Sequence, residues 1–343
     1  MKNTLFSIII ANFNGEKYLE TCLNSVLKSS YKNFEIIIID DASTDQSLDI
    51  LIRYKSGGPK VIILENKKNI GPAASRNKAL RNAKGSVIVF LDNDTEVTPS
   101  WLNEFNKLLK NKNIGAVQSL LLDFKKRNII QMGGGRLISF TGWLKPLLQG
   151  FNYKGATVTD KDIVGVSAAL AVKKSCFYVV KGFDEKEQKY TEDLDFCWRI
   201  WIAGFRVVLA SKSIVYHYTK SIAERNNTKT SKFEIYYHMS KNSIRSMIKN
   251  YELKNIPLNL LFFIGINIIR SLLVLIRRKD ASAFAGSMLG IVWNIISLDD
   301  TLKNRMQVQK TRVFSDKYLF SSIFDNSPIR TYIRILKESK LLW

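Results

Sequence analysis

Four short runs of aliphatic residues, Phe6–Ala11, Glu35–Ile39, Val61–Leu64 and Ser86–Leu91, constrain this chain more than any other feature of its sequence. Each has the length of a buried strand and is too short for a helix. Between them lie stretches with apolar positions at helical spacing, Lys17–Ser29, Gln46–Lys55 and Pro72–Asn82, broken by Gly, Pro or Asn. That alternation predicts βαβ units, and with them an α/β fold whose Rossmann-like, mostly parallel central sheet is flanked by helices. In such a sheet the ligand crevice forms at the loops beyond the carboxyl ends of the strands. Those loops are Asn12-Phe13-Asn14-Gly15, Asp40 to Asp45, Asn66 to Arg76, and Asp92-Asn93-Asp94.

The loops are rich in carboxylates. Asp92 and Asp94 stand one residue apart at a strand end, and hard divalent cations such as Mg²⁺ or Mn²⁺ take oxygen ligands of this kind. Acidic loops after strands are common, so the pair alone decides nothing. In the second loop Ser43 or Asp45 is placed to cap the helix near Gln46, which leaves the adjacent Asp40-Asp41 pair unexplained. Glu192, Asp193 and Asp195 open a helix that is expected over Asp193–Ala203, where the helix dipole favours acids in any protein. Their offsets turn them to different faces, so they are not expected to share one role. His217 follows a strand-like Ile214–Tyr216, and His238 lies in an aromatic helical stripe that reads as packing.

Charge and cysteine usage narrow the setting. The chain has 343 residues, 52 Lys and Arg against 30 Asp and Glu, and a net charge of +22. Residues 219–343 carry 21 of the basic and 9 of the acidic residues, and there the cations flank apolar runs instead of alternating with aromatics. This favours an anionic membrane surface over nucleic acid, for which no binding module is recognised. Cys22, Cys176 and Cys197 are scattered and odd in number, which indicates neither a disulfide framework nor a zinc site and fits a reducing cytoplasm. The apolar run near the amino terminus is too short for a signal peptide, so the chain is expected to stay in the cytosol.

Residues 103–160 carry few clear periods beyond the glycines at 133–135 and read as loops of a binding surface. Order returns with Val164–Val172, Gly182-Phe183-Asp184 and a strand-like Phe205–Leu209. Farther on, Pro257–Ile276, with Arg270 inside it, and the uncharged Ala281–Leu298 are apolar but poor membrane spans. They are expected to be helices lying in or dipping into the cytoplasmic face, with Arg277, Arg278 and Lys279 at the lipid headgroups. A soluble helical pair and a transmembrane hairpin are the alternatives. The chain thus divides at about residue 218, into a catalytic domain over 1–218 and a helical, basic, membrane-associated region over 219–343.

Taken in order, Ser7 to Asn14, IIIIDDASTDQS, NIGPAASRN, LDND, KGFDE, EDLDFCWR and VYHY resemble the family 2 glycosyltransferases of the GT-A fold, particularly members described as rhamnosyltransferase-like. The likeness runs over residues 5 to 250. It implies an inverting, metal-dependent transferase that moves a sugar from a nucleotide-diphosphate donor to a glycan or lipid-linked glycan in cell-surface polysaccharide synthesis. It also implies roles: Ala11, Asn12, Asn14 and Asp41 on base and ribose, Arg76 near the nucleotide, and Asp92 and Asn93 beside the sugar. Asp94 and His217 would hold the metal, Mg²⁺ or Mn²⁺, and Asp193 would be the catalytic base, with Glu192 and Asp195 supporting it. Residues 1–100 would bind the nucleotide and 101–218 the acceptor. One departure stands out: the family usually has Pro and then Tyr where this chain has Asn12-Phe13, so the aromatic hydroxyl is lost. Rival readings are a nucleotidyltransferase, disfavoured by the lack of a Gly-rich basic loop, and a non-catalytic, membrane-bound glycan-binding relative.

Overall fold

The computed structural model describes residues 4–56, 61–218 and 232–325. Parts of the region assigned to the membrane, 219–231 and 326–343, therefore lie outside the described residues. The chain divides into two compact units, Met1–Gly135 with Pro146–Thr219, and Arg136–Lys145 with Lys220–Trp343.

The first unit is built on one sheet, with strands β1 (Phe6–Asn12), β2 (Phe34–Asp40), β3 (Val61–Glu65), β4 (Val87–Asp92), β5 (Thr95–Val97), β6 (Ile114–Asp123), β7 (Ile130–Met132), β10 (Ala169–Lys173) and β11 (Arg206–His217). Their order is β3-β2-β1-β4-β10-β6-β11-β5, and β7 pairs with β6. Pairing is parallel from β3 through β4 and again between β6 and β11, while β10 runs antiparallel between β4 and β6. Helices α1 (Leu19–Leu27), α2 (Ser47–Ser56), α3 (Pro72–Leu80), α4 (Trp101–Leu108), α5 (Lys174–Val179) and α6 (Glu192–Ile202) accompany these strands.

The predicted strands and helices of the first hundred residues form in place, because aliphatic runs such as Ile36 to Ile39 are buried and leave no exposed face to alternate. The same effect hid β6. Its residues from Ile114 to Leu122 are all buried, including Gln118 and Ser119, so its periodicity is that of a strand covered on both sides. Gln118 Oε1 accepts the Val166 N–H at 2.7 Å, and the Ser119 and Ser213 hydroxyls meet at 2.8 Å, which satisfies these polar groups.

The two strand-like pieces expected near residues 205 and 214 are one strand. Register slips between Ala210, opposite Ser119, and Ile214, opposite Leu120, so Ser211, Lys212 and Ser213 form a bulge. A bulge bends its strand and re-aims the side chains beyond it. Here the end of β11 pairs with β6 on one side and β5 on the other, putting His217 opposite both Asp123 and Thr95.

The second unit holds helices α7 (Lys232–Asn250), α8 (Ile256–Arg278), α9 (Ser282–Ile296), α10 (Leu298–Lys310) and α11 (Asp316–Ser322). A small sheet joins β8 (Gly135–Ile138) to β9 (Leu144–Pro146) and β12 (Phe324–Asp325). The two apolar segments of the sequence are α8 and α9. Helix α9 lies so close to α7 that a Cβ on Gly286 would stand 2.3 Å from the Phe233 carbonyl oxygen, and one on Gly290 2.7 Å from that of Tyr237.

Candidate active site

Asp92 is the last residue of β4 and Thr95 the first of β5, so Asn93 and Asp94 form the turn between two strands. The turn is fixed from within: the Thr95 hydroxyl donates to the Asp92 carbonyl at 2.7 Å, and the Tyr218 N–H to the Asp94 carbonyl at 3.0 Å. Pairing of β11 with β5 then delivers His217. Its Nε2 stands 3.4 Å from Asp94 Oδ1 and 4.0 Å from Asp92 Oδ2, and one ligand atom from each of the three residues falls within 4.8 Å of the others. His217 Nδ1 sits 2.8 Å from Gln131 Oε1. The Nδ1–H tautomer makes that bond and leaves the Nε2 lone pair facing the carboxylates. Two carboxylate oxygens and one imidazole nitrogen, half-buried, form a donor set that suits Mg²⁺ or Mn²⁺.

Burial pulls the His217 imidazole down, but the neighbouring Asp94, Asp92 and Asp123 outweigh it and hold its pKa above the ordinary value. A proton or a cation between these groups is electrostatically favoured. Cys22 passes behind this turn with its thiol pushed up to about 12, chiefly by burial, so it is neither a nucleophile nor a ligand at neutral pH.

Arg76 lies on α3 and is buried. Its Nη2 donates to Asp92 Oδ1 at 2.8 Å and its Nη1 to Glu192 Oε1 at 3.0 Å. The guanidinium thus ties the turn after β4 to the first residue of α6. Burial, and then the adjacent Asp193, push Glu192 above the usual carboxylate range in spite of this partner. Asp193 is half-buried; Oδ2 accepts the Ser167 N–H at 3.1 Å, and Oδ1 the Leu194 N–H at 2.8 Å. Its pKa is also raised, first by desolvation, which outweighs the hydrogen bond from Ser167 and the pull of Arg76. The loop that enters α6 is strained, with Gln188 at φ 63° and Tyr190 at φ 83°.

The remaining predicted residues fall into two other groups. Asn12 Nδ2 donates to Asp40 Oδ1 at 2.8 Å, while its Oδ1 accepts from Asn93 Nδ2 at 2.7 Å, so one amide joins three loops. Asn14 accepts the Thr44 N–H at 2.8 Å, and the Asp41 carboxylate accepts the N–H groups of Ile70 and Gly71 and the Asn66 amide. Ala11 lies opposite Asp92 in the sheet, and Phe13 is exposed. Asp195 is elsewhere: buried, it pairs with Arg199 at 2.7 Å, and Arg199 donates to the Val180 and Gly182 carbonyls. The three acids of this helix thus meet different partners: Glu192 meets Arg76, Asp193 meets Ser167, and Asp195 meets Arg199.

Several residues in these networks carried no signal. Gln131 and Ser167 act through pairings made far along the chain; of the two expected caps, Asp45 accepts the Ser47 N–H at 3.0 Å, while Ser43 sits instead at the centre of the first two loops, bonded to Asp40, Asn12 and Asn14. Gly15 packs against this junction: a Cβ there would lie 2.2 Å from both Asn12 Oδ1 and Asn93 Nδ2, so a side chain would displace the two amides.

Residues 7–173 match the family described as Glycosyl transferase family 2. This segment is a family 2 glycosyltransferase domain. Among sequence relatives, the Escherichia coli UDP-Glc:alpha-D-GlcNAc-diphosphoundecaprenol beta-1,3-glucosyltransferase WfaP is 44% identical over 90 residues, 26% of this chain and 35% of the relative. The Bacillus spizizenii poly(ribitol-phosphate) beta-glucosyltransferase is 40% identical over 104 residues, 28% of this chain and 16% of the relative. The chain thus spans about a third or less of the length of these relatives. The crystal structure of GalNAc-T7 with UDP, GalNAc and Mn2+ superposes with a TM-score of 0.65 at 17% identity, covering 98% of this chain and 58% of that one. The fold shared with this neighbour is the GT-A fold; the β4–β5 turn and α3 lie within the matched segment, and α6, beyond it, brings Glu192 to Arg76.

Proposed function

We propose that this protein transfers a sugar from a nucleotide-diphosphate sugar to a hydroxyl of a glycan or lipid-linked glycan, with inversion at the anomeric carbon. The observation that carries this reading is the position of two different acidic centres around Arg76. Asp92, Asp94 and His217 form one; Asp193, with its raised pKa, forms the other and interacts electrostatically with both Asp92 and Arg76. The nucleotide-sugar donor and the lipid-linked sugar acceptor are drawn from the named Escherichia coli relative.

In this mechanism Asp193 is the general base. Its carboxylate is held by Ser167 and Leu194, and it takes the proton of the acceptor hydroxyl as oxygen attacks the anomeric carbon. A carboxylate with an elevated pKa is a better match for that proton than an ordinary aspartate. Arg76 keeps Asp92 turned toward the sugar, and Asn12, Asn14, Asp41 and Asn93 shape the cleft for base and ribose. Asp94 and His217, with Asp92 beside them, would hold Mg²⁺ or Mn²⁺, which neutralises charge on the departing diphosphate. The acceptor's lipid would bring the reaction to the cytoplasmic face of the membrane.

The test is a panel of UDP-, GDP- and dTDP-sugars screened for thermal stabilisation, followed by transfer from the best donor and assignment of the product anomer by NMR. Retention of configuration sinks the single displacement. Binding of a nucleotide diphosphate with neither transfer nor hydrolysis of any donor would favour the non-catalytic relative.

A further inference from the structure

The second unit sorts its side chains opposite to a water-soluble bundle. On α8 the buried positions include Asn267 and Ser271, and the Asn267 amide donates to the Ser240 hydroxyl at 2.9 Å. Arg270, the charge that interrupts this apolar run, has its guanidinium 5.0 Å from the rings of both Trp143 and Tyr236. The outward positions are Leu258, Leu261, Phe262, Ile269, Leu272 and Ile276, with Leu261 70% and Ile276 71% exposed. Steps of three, four and seven residues keep them on one face of the helix.

Helix α9 follows the same rule. Gly286, Ser287, Gly290 and Asn294 face inward, and the Asn294 amide donates to the Lys241 carbonyl at 3.0 Å, while Leu289, Val292, Ile295 and Ile296 are exposed. Helix α7 is buried along most of its length although it carries Lys241, Arg245 and Lys249. Arg245 pairs there with Asp300 at 2.7 Å, and Lys241 lies 5.0 Å from the Trp293 ring. In water the favoured arrangement is the reverse, and an exposed apolar surface of this extent marks a contact.

We infer that this unit is a monotopic membrane domain whose α8 ridge and outward α9 face lie among the acyl chains of one anionic leaflet. The inference deepens the proposed membrane association by naming the inserted faces and their depth. Charge selects the occupant: Lys254, Arg277, Lys279, Lys303 and Lys310 are exposed around these helices, and the region holds 21 basic against 9 acidic residues. Such a rim complements anionic headgroups, whereas two copies of it facing each other would repel. Geometry selects the depth. Helix α8 is long and apolar enough to cross a membrane, but α9, at 15 residues, is about 22 Å long against a hydrocarbon core of about 30 Å. Helix α7, packed against α9, carries buried cations along its length that a spanning position would place at the depth of the acyl chains. Insertion of one face by about 5–10 Å satisfies all three helices.

The experiment uses the full chain with single cysteines carrying an environment-sensitive fluorophore. Cys22, Cys176 and Cys197 are all buried with thiols pushed up by desolvation, so they label poorly. With phosphatidylglycerol-containing vesicles, labels at L261C, I269C and I276C shift to the blue and are quenched by acyl-chain doxyl groups, while one at the exposed D299C is not. The double variant L261K/I269K loses at least about tenfold in vesicle affinity, the burial of two aliphatic side chains being opposed, with an unchanged melting temperature. Labels that remain aqueous on vesicles, or quenching by groups confined to the far leaflet, overturn the inference. So does a blue shift that needs no lipid and grows with protein concentration, the signature of a second copy on this face. None of these readouts uses a nucleotide sugar, so failure here leaves the transferase reading standing, and the converse holds.

Discussion

Arg76 and Glu192, 116 residues apart in sequence, meet in a buried hydrogen-bonded ion pair of 3.0 Å, and the same guanidinium holds Asp92 at 2.8 Å. Removing one partner of a buried pair strands the other, at a cost of about 3–5 kcal/mol. Arg76→Met is therefore expected to lower the stability measured by urea denaturation by about that amount. Adding Glu192→Gln should restore part of it, because an amide is neutral there without the proton that the stranded Glu192, its pKa already raised by burial, must take up.

Asp193 and Asp195 are two residues apart on one helix and should give opposite phenotypes. Asp193→Asn is expected to reduce transfer by about 10²–10⁴-fold with donor affinity near normal, as for loss of a general base. Asp195→Asn breaks the buried pair with Arg199 and should destabilise the fold, while donor binding by the protein that remains folded is unchanged. Transfer assays alongside thermal melts separate the two; a catalytic loss at Asp195 without a drop in melting temperature would contradict this division.

The raised pKa of Asp193 sets the sign of the pH dependence. A general base works only when deprotonated, so kcat/KM should fall as pH drops through that pKa, at a higher pH than an ordinary aspartate would produce. The limb should be absent from the residual activity of Asp193→Asn. A pH profile of both proteins at saturating metal checks this.

Gln131 is expected to matter for metal without touching it. Gln131→Ala frees the His217 ring and should weaken Mn²⁺ binding by about 10–100-fold, as for other hydrogen-bond partners of ligating histidines. Titration followed by the electron paramagnetic resonance of free Mn²⁺ reads this directly. Asp94→Ala and His217→Ala should lose more.

Gly15→Ala places a methyl group 2.2 Å from Asn12 Oδ1 and Asn93 Nδ2 and must displace these amides, breaking the hydrogen bond that joins the first and fourth loops. Overpacking of this kind costs about 1–3 kcal/mol. A lower melting temperature with weaker donor binding is expected, and wild-type behaviour in both would show that these loops are not held as described.

What was legible from the sequence is what local periodicity encodes. Runs such as Ile36 to Ile39 specify buried strands wherever the chain goes, and the polar residues just past them must stand at the sheet's ligand edge. Asp92 and Asp94 could be picked out on that ground, Asp193 by the family resemblance, and the two apolar helices near the carboxyl end by their composition. Long-range pairing was not legible, because no local signal reports which residue will lie opposite which. The bulge at Ser211–Ser213 and the pairing of β11 with β5 turn a lone histidine into a neighbour of Asp94. Arg76, expected near the nucleotide, has its two Nη atoms on Asp92 and Glu192, and Asp41 bonds to the third loop. The direction of Arg270, inward between two rings, was likewise decided by packing. The sequence by itself determined the strands of the first hundred residues, their loops and the acids that edge them; only the tertiary structure decided that Glu192 meets Arg76 and His217 meets Asp94, since those contacts join segments more than a hundred residues apart.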